Sequence, residues 1–165
     1  MILRTIKILL VFGVAVFYSL VVLNNITDYN SNYQFVRHVL MMDSTFPGNR
    51  GMWRAINTPL LHTAFYISII AWETITMILC WWGGICMAQM RRESVALFQR
   101  SKGISIAAMA LSLLMWLVAF LAVGGEWFLM WQSRMWNGQD PAFRMFTVIG
   151  VILLLVAQPD APDQP

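Results

Sequence analysis

Glu73 is the residue whose type and place most invite chemistry. It sits near the middle of an apolar run from about residue 60 to 87. A run that long reads as a membrane-spanning helix, which puts the carboxylate near the bilayer midplane. A charge there is costly unless a cation pairs with it. His62, Tyr66, Ile69 and Glu73 recur at i, i+4, i+7 and i+11, and Thr76 and Cys80 continue the same helical face. This stripe could carry protons inward, or receive a cationic or hydrogen-bonding group from outside. The expected role is plainer: Glu73 bonds within the bundle, or meets a basic residue of a partner protein, and so fixes packing.

A second set of candidates lies in the two outer loops. Loop one, 24–58, brings Arg50, Trp53 and Arg54 back toward the second span. Loop three, 124–141, holds Glu126, Trp127 and Trp131, followed by Trp136. Trp127 and Trp131 are four apart, so on a helix they share one face. Tryptophan concentrates at membrane interfaces because its ring is apolar and its N–H wants a wet partner. An aromatic belt anchoring an interfacial helix is therefore expected. The sharper alternative is an aromatic-lined cleft between the loops, with Glu126, Arg50 or Arg54 fixing a polar head.

Other chemistry is thinly represented. His38 and His62 are the only histidines, and a bis-histidine haem would need both rings facing each other at one depth. The 12 methionines are scattered, so no copper or other metal site is expected. Cys80 and Cys86 point roughly 240° apart on one helix and make neither a disulfide nor a redox motif. No nucleophile elbow, HExxH, phosphate-binding loop or dinucleotide fingerprint occurs. The chain is thus read as a non-enzyme with no cofactor.

The elements that must position these residues are membrane helices. The 165 residues are 59% hydrophobic and 12% charged, against roughly 45–50% and about 25% in soluble domains. The fold expected is an all-α bundle of four transmembrane helices at about 6–23, 60–87, 104–123 and 142–157, forming one domain over 1–157. Pro59 suits a first helical turn, and the Gly-Gly pairs at 83–84 and 124–125 read as breakers at span ends. The fourth span is the shortest: its charge-free part, 146–157, covers only about 18 Å of a core about 30 Å thick. In loop one, Ser31 and Gln34 fit a capping box, opening a short interfacial helix that ends at Asp43. In span three, Ser105, Ala108, Ser112 and Ala119 lie on a small-residue stripe that begins at Ser101, reaches Ala122 and is interrupted by Met115. Small residues let helices approach closely in a bilayer. The tail, 158–165, is polar with three prolines and is expected to be disordered.

Net charge is only +3, with no basic stripe, so nucleic acid is not an expected partner. The basic residues speak to orientation instead. With the N-terminus inside, Arg4, Lys7, Arg91, Arg92, Arg100 and Lys102 fall on the inner side in short segments. Arg37, Arg50, Arg54, Arg134 and Arg144 are spread over longer outer loops. That density places both termini in the cytoplasm.

Three stretches carry a resemblance: Asn24-Asn25-Ile26-Thr27-Asp28-Tyr29, the stretch Phe35 to Arg54 ending in Phe46-Pro47-Gly48-Asn49-Arg50-Gly51-Met52-Trp53-Arg54, and Gly124-Gly125-Glu126-Trp127-Phe128-Leu129-Met130-Trp131-Gln132-Ser133. They resemble a bacterial family of predicted small integral membrane proteins, domain of unknown function 2165. The resemblance covers nearly the whole chain except the tail. It implies a four-span inner-membrane protein and supplies no activity, cofactor or catalytic residue. The expected function is a small accessory, assembly or stabilising subunit, in contact with the lipid bilayer and with a membrane-protein partner or further copies of itself. The alternatives are a small transporter or proton-linked carrier using Glu73, and a redox or quinone-handling subunit using His62.

Overall fold

The first apolar run makes a helix longer than itself. In the computed structural model, which describes residues 1–160, helix α1 spans Ile2–Thr27. Nothing in its flanks stops it, so Arg4, Lys7 and Asn25 are drawn into the helix and buried. Its 26 residues reach about 39 Å, more than a bilayer core needs. A single non-helical residue, Asp28, separates it from α2, Tyr29–Met41. Ser31 therefore lies inside α2, not at its cap. Its hydroxyl donates to Asp28 Oδ1 at 2.9 Å, and Gln34 donates to Asn30 Oδ1 at 3.2 Å, so the expected capping box does not form. Helix α2 ends at Met42, which adopts a left-handed conformation (φ 53°).

Helix α3, Pro59–Gln89, starts on Pro59 as expected and runs for 31 residues. Gly83 and Gly84 lie inside it, not at its end. In a bilayer each backbone group needs its helical partner, which favours continuing through glycine. The pair serves as a crossing point. A Cβ on Gly83 would lie 2.6 Å from the Ser105 amide nitrogen, and one on Gly84 would lie 2.7 Å from the Phe12 ring. Helix α3 is thereby pressed against α5 on one side and α1 on the other.

A short helix α4, Val95–Ser101, is capped by the Ser94 hydroxyl and leads into α5, Gly103–Leu114. From Met115 to Trp127 the same helix continues with π geometry, passing through Gly124 and Gly125 without breaking. Its N–H groups reach back five residues, which widens the turn and rotates the buried face. Ser105, Ala108 and Ser112 are buried as a stripe, but Ala119 is half-buried and Ala122 is exposed. Met115, Trp116, Gly124 and Gly125 take the inner positions instead.

Helix α6, Gln139–Ala157, begins three residues before the expected span. Its 19 residues give about 28 Å, close to a full crossing. It packs on α5 and on the π segment, and α1 packs on α3. The result is all-helical among the described residues, with four helices long and apolar enough to cross a membrane. One core joins α1, α3, α5 and α6. A smaller one at the loop end joins Val39, Leu40 and Met42 to Phe128 and Met130. From residue 161 on, the tail expected to be disordered lies outside the described residues.

Candidate functional site

The α3 stripe faces inward: His62, Tyr66, Glu73, Thr76 and Cys80 are all buried. What meets it comes from α1, where Tyr18 and Asn25 stand seven residues apart on one face. Asn25 Nδ2 donates to Glu73 Oε2 at 2.6 Å. Tyr66 Oη donates to the Asn25 backbone carbonyl at 2.9 Å and lies 3.3 Å from Asn25 Oδ1. The last carbonyls of a helix have no intrahelical partner, and Tyr66 supplies one. Asn25 therefore links Glu73 and Tyr66 in one network between α1 and α3. Deeper in the bundle, Tyr18 Oη and Ser112 Oγ are 2.5 Å apart, and Trp116 Nε1 donates to Tyr18 Oη at 3.1 Å. Between this pair and the terminal end lies a layer of Val11, Ala108 and Met109, all fully buried.

His62 stands one turn above Tyr66. Its Nε2 lies 2.7 Å from the Ile56 carbonyl, so that nitrogen carries the donated hydrogen, while its buried Nδ1 has no partner. His38 is held separately: Nδ1 is 2.6 Å from Asp43 Oδ2, and the ring stacks on Trp136 at 4.6 Å. Each histidine is thus engaged by its own neighbours.

The outer-loop candidates divide. Arg54 lies over the rings of Trp53 and Trp127, at 5.3 and 4.9 Å, and Nη1 donates to the Trp127 carbonyl at 3.2 Å. These three residues join the two loops. Trp131 does not share a helical face with Trp127, because the helix ends at Trp127 and Leu129 turns left-handed (φ 54°). Trp131 packs edge-on against Phe46 instead, 5.7 Å between ring centroids. Arg50 and Glu126 are exposed.

A polar cluster at the opposite end was not among the expected sites. Lys7 Nζ donates to the Gln158 carbonyl at 2.7 Å and to Asp160 Oδ1 at 3.2 Å. Lys102 Nζ donates to the same carbonyl at 2.9 Å, to Gln99 Oε1 at 2.8 Å, and to Asp160 Oδ2. The side chains of Lys7, Lys102 and Asp160 are 1%, 0% and 5% exposed, so two buried ammonium groups share one carboxylate. Burial opposes the charge on Asp160, but the two lysines outweigh it and hold its carboxyl below the usual range. Nearby, Arg4 donates to the carbonyls of Arg91 and Glu93, tying the α3–α4 turn to α1.

One apolar hollow lies apart from these polar groups. An apolar groove of about 240 Å³ opens between α3 and the π segment, roofed by α2. Trp72, Ile69, Val118, Ala119 and Phe128 line it, with Ser68 the one polar side chain.

No curated protein and no solved structure matches the chain. A family model does, over residues 3–159, and its description fits four long apolar helices whose buried polar groups bond to one another. The chain belongs to the family described as predicted small integral membrane protein, DUF2165.

Proposed function

We propose that this protein is a non-enzymatic accessory, assembly or stabilising subunit of the bacterial inner membrane, with both termini in the cytoplasm. One observation carries the reading. The carboxylate and ammonium groups buried in the bundle are met by the chain's own residues: Glu73 by Asn25, and Lys7 and Lys102 by Asp160. A catalytic or transport site keeps such groups free for its substrate, whereas here they close the bundle and leave apolar helix faces outward. Exposed Arg92 and Arg100 at the terminal end support the cytoplasmic placement. Gentle purification from native membranes with a C-terminal tag, followed by mass spectrometry, tests the proposal. A stoichiometric membrane partner is the expected result. Elution alone, or only with further copies of itself, would overturn it.

One observation favours a second reading, a proton-linked carrier. Hydrogen bonds run from Glu73 through Asn25 to Tyr66, toward the loop end. The two readings separate on Glu73→Gln. The glutamine keeps an oxygen for Asn25, so the variant is expected to fold and melt near the parent. A carrier would lose proton movement in liposomes, whereas an accessory subunit would keep its partner. Asn25→Leu is the structural counterpart. It strands Glu73 in the core while Tyr66 keeps its bond to the backbone carbonyl of residue 25, and melting in detergent should show a loss of about 1–3 kcal/mol.

A further inference from the structure

The geometry points to the groove between α3 and the π segment as a binding site for one hydrocarbon chain of an anionic membrane lipid, its headgroup drawn to Arg54. Size argues first. An apolar cavity of about 150 Å³ takes a benzene-sized guest. The groove therefore matches a length of a single chain and falls short of a bulky ring system.

Its walls fit that guest. Phe65, Ile69 and Trp72 stand on one side and Val118, Ala119 and Val123 on the other. The Trp72 indole N–H is already committed to the Leu111 carbonyl at 3.1 Å, so the ring offers the groove only its apolar surface. The wider π turn makes the room: it sets Ala119 half-buried on the groove wall and turns Ala122 outward.

Charge names the head. The Phe128 amide bonds the Val123 carbonyl at 3.0 Å, so the π segment carries the groove wall straight up to Trp127 and Phe128. Arg54 stands there, stacked on Trp127 and donating to its carbonyl through Nη1. Ile56, two residues on, bonds the carbonyl of Leu40 in the groove roof at 2.8 Å. A guanidinium charge set between two tryptophans near the end of an apolar slot complements a phosphodiester head above its own acyl chain.

The test uses the whole protein in phosphatidylcholine vesicles containing phosphatidylglycerol with a photoactivatable group on one acyl chain. Labelled peptides should concentrate on 65–72 and 115–124, above the level on the lipid-facing side of α6 around Leu154. Ala119→Trp fills the groove and should bring labelling down to that level. Val118→Trp, at the exposed rim, should do the same if the first variant fails to fold. Arg54→Gln should cut the preference for phosphatidylglycerol over the same photolipid with a choline head by about fivefold, the factor for about 1 kcal/mol. Labelling equal to that of α6, or unchanged in a folded groove-filling variant, would overturn the proposal, as would no preference between the two headgroups. Groove labelling blocked in native membranes but restored on purification would place a protein there, another copy included, and would equally overturn it.

Discussion

Replacing Gly83 by alanine should weaken the bundle by about 1–3 kcal/mol, while the same change at Gly13 should leave it unharmed or strengthen it by about 0.5–1 kcal/mol. Both glycines sit within long helices, so their intrinsic helix preference is the same. Their surroundings differ. An added Cβ at Gly13 meets nothing within 4 Å, whereas at Gly83 it would lie 2.6 Å from the Ser105 nitrogen and 2.9 Å from its Cα. Those are backbone atoms that cannot swing aside, so α3 and α5 must separate along their contact. Ser105 and Met87 are fully buried there and would lose their packing. In a bilayer, such close packing does much of the work that hydrophobic burial does in water. Gly83→Leu adds far more volume at the same point and should abolish the folded, monodisperse protein in detergent. Helicity and gel filtration across Gly13→Ala, Gly83→Ala and Gly83→Leu would check the series. A Gly83→Ala variant as stable as Gly13→Ala would mean that the α3–α5 contact is looser than described.

The same contact shows what could be read from sequence and what could not. The inner face of α3 was legible because a 3.6-residue period strings His62, Tyr66, Glu73, Thr76 and Cys80 along an apolar helix, and all five are buried. Their partner Asn25 was hidden because hydropathy falls at Leu23 while the helix itself continues to Thr27. Gly83 and Gly84 read as breakers by rules learned in water, where a broken helix can bond to solvent. Within a membrane the backbone has no such exchange. The π segment leaves no mark, since its composition is that of any apolar helix, and so the small-residue stripe reads on to Ala122 across a change of pitch. Trp127 and Trp131 share one face only on a helix that continues through Leu129, and the chain turns left-handed there. The Arg54 cluster was half legible: Trp53, Arg54 and Trp127 were candidates by type, but which loop residues meet depends on tertiary packing.

Loss of the Asp160 carboxylate should cost about 3 kcal/mol, near the lower figure for breaking a buried ion pair. Lys7 comes from α1 and Lys102 from the corner before α5, 153 and 58 residues away from Asp160, so the carboxylate closes three parts of the chain at once. Asp160→Ala leaves two buried ammonium groups with carbonyl and amide oxygens but no anion. The full penalty is not expected, because lysine stems can carry their heads out to the nearby interface. The sign of the pH dependence follows from the lysines holding the Asp160 carboxyl below its ordinary value of 3.8. A carboxyl with a depressed folded pKa contributes stability that is complete above the ordinary value and lost as pH falls through the folded one. The gap between the parent and Asp160→Ala should therefore be flat from neutral pH down to about 5, and close only in stronger acid. Thermal melting of both proteins in detergent across that range measures it. A gap that changes between neutrality and pH 5 would point to some other group, and no gap at neutral pH would mean that the lysines find equal partners once the carboxylate is gone.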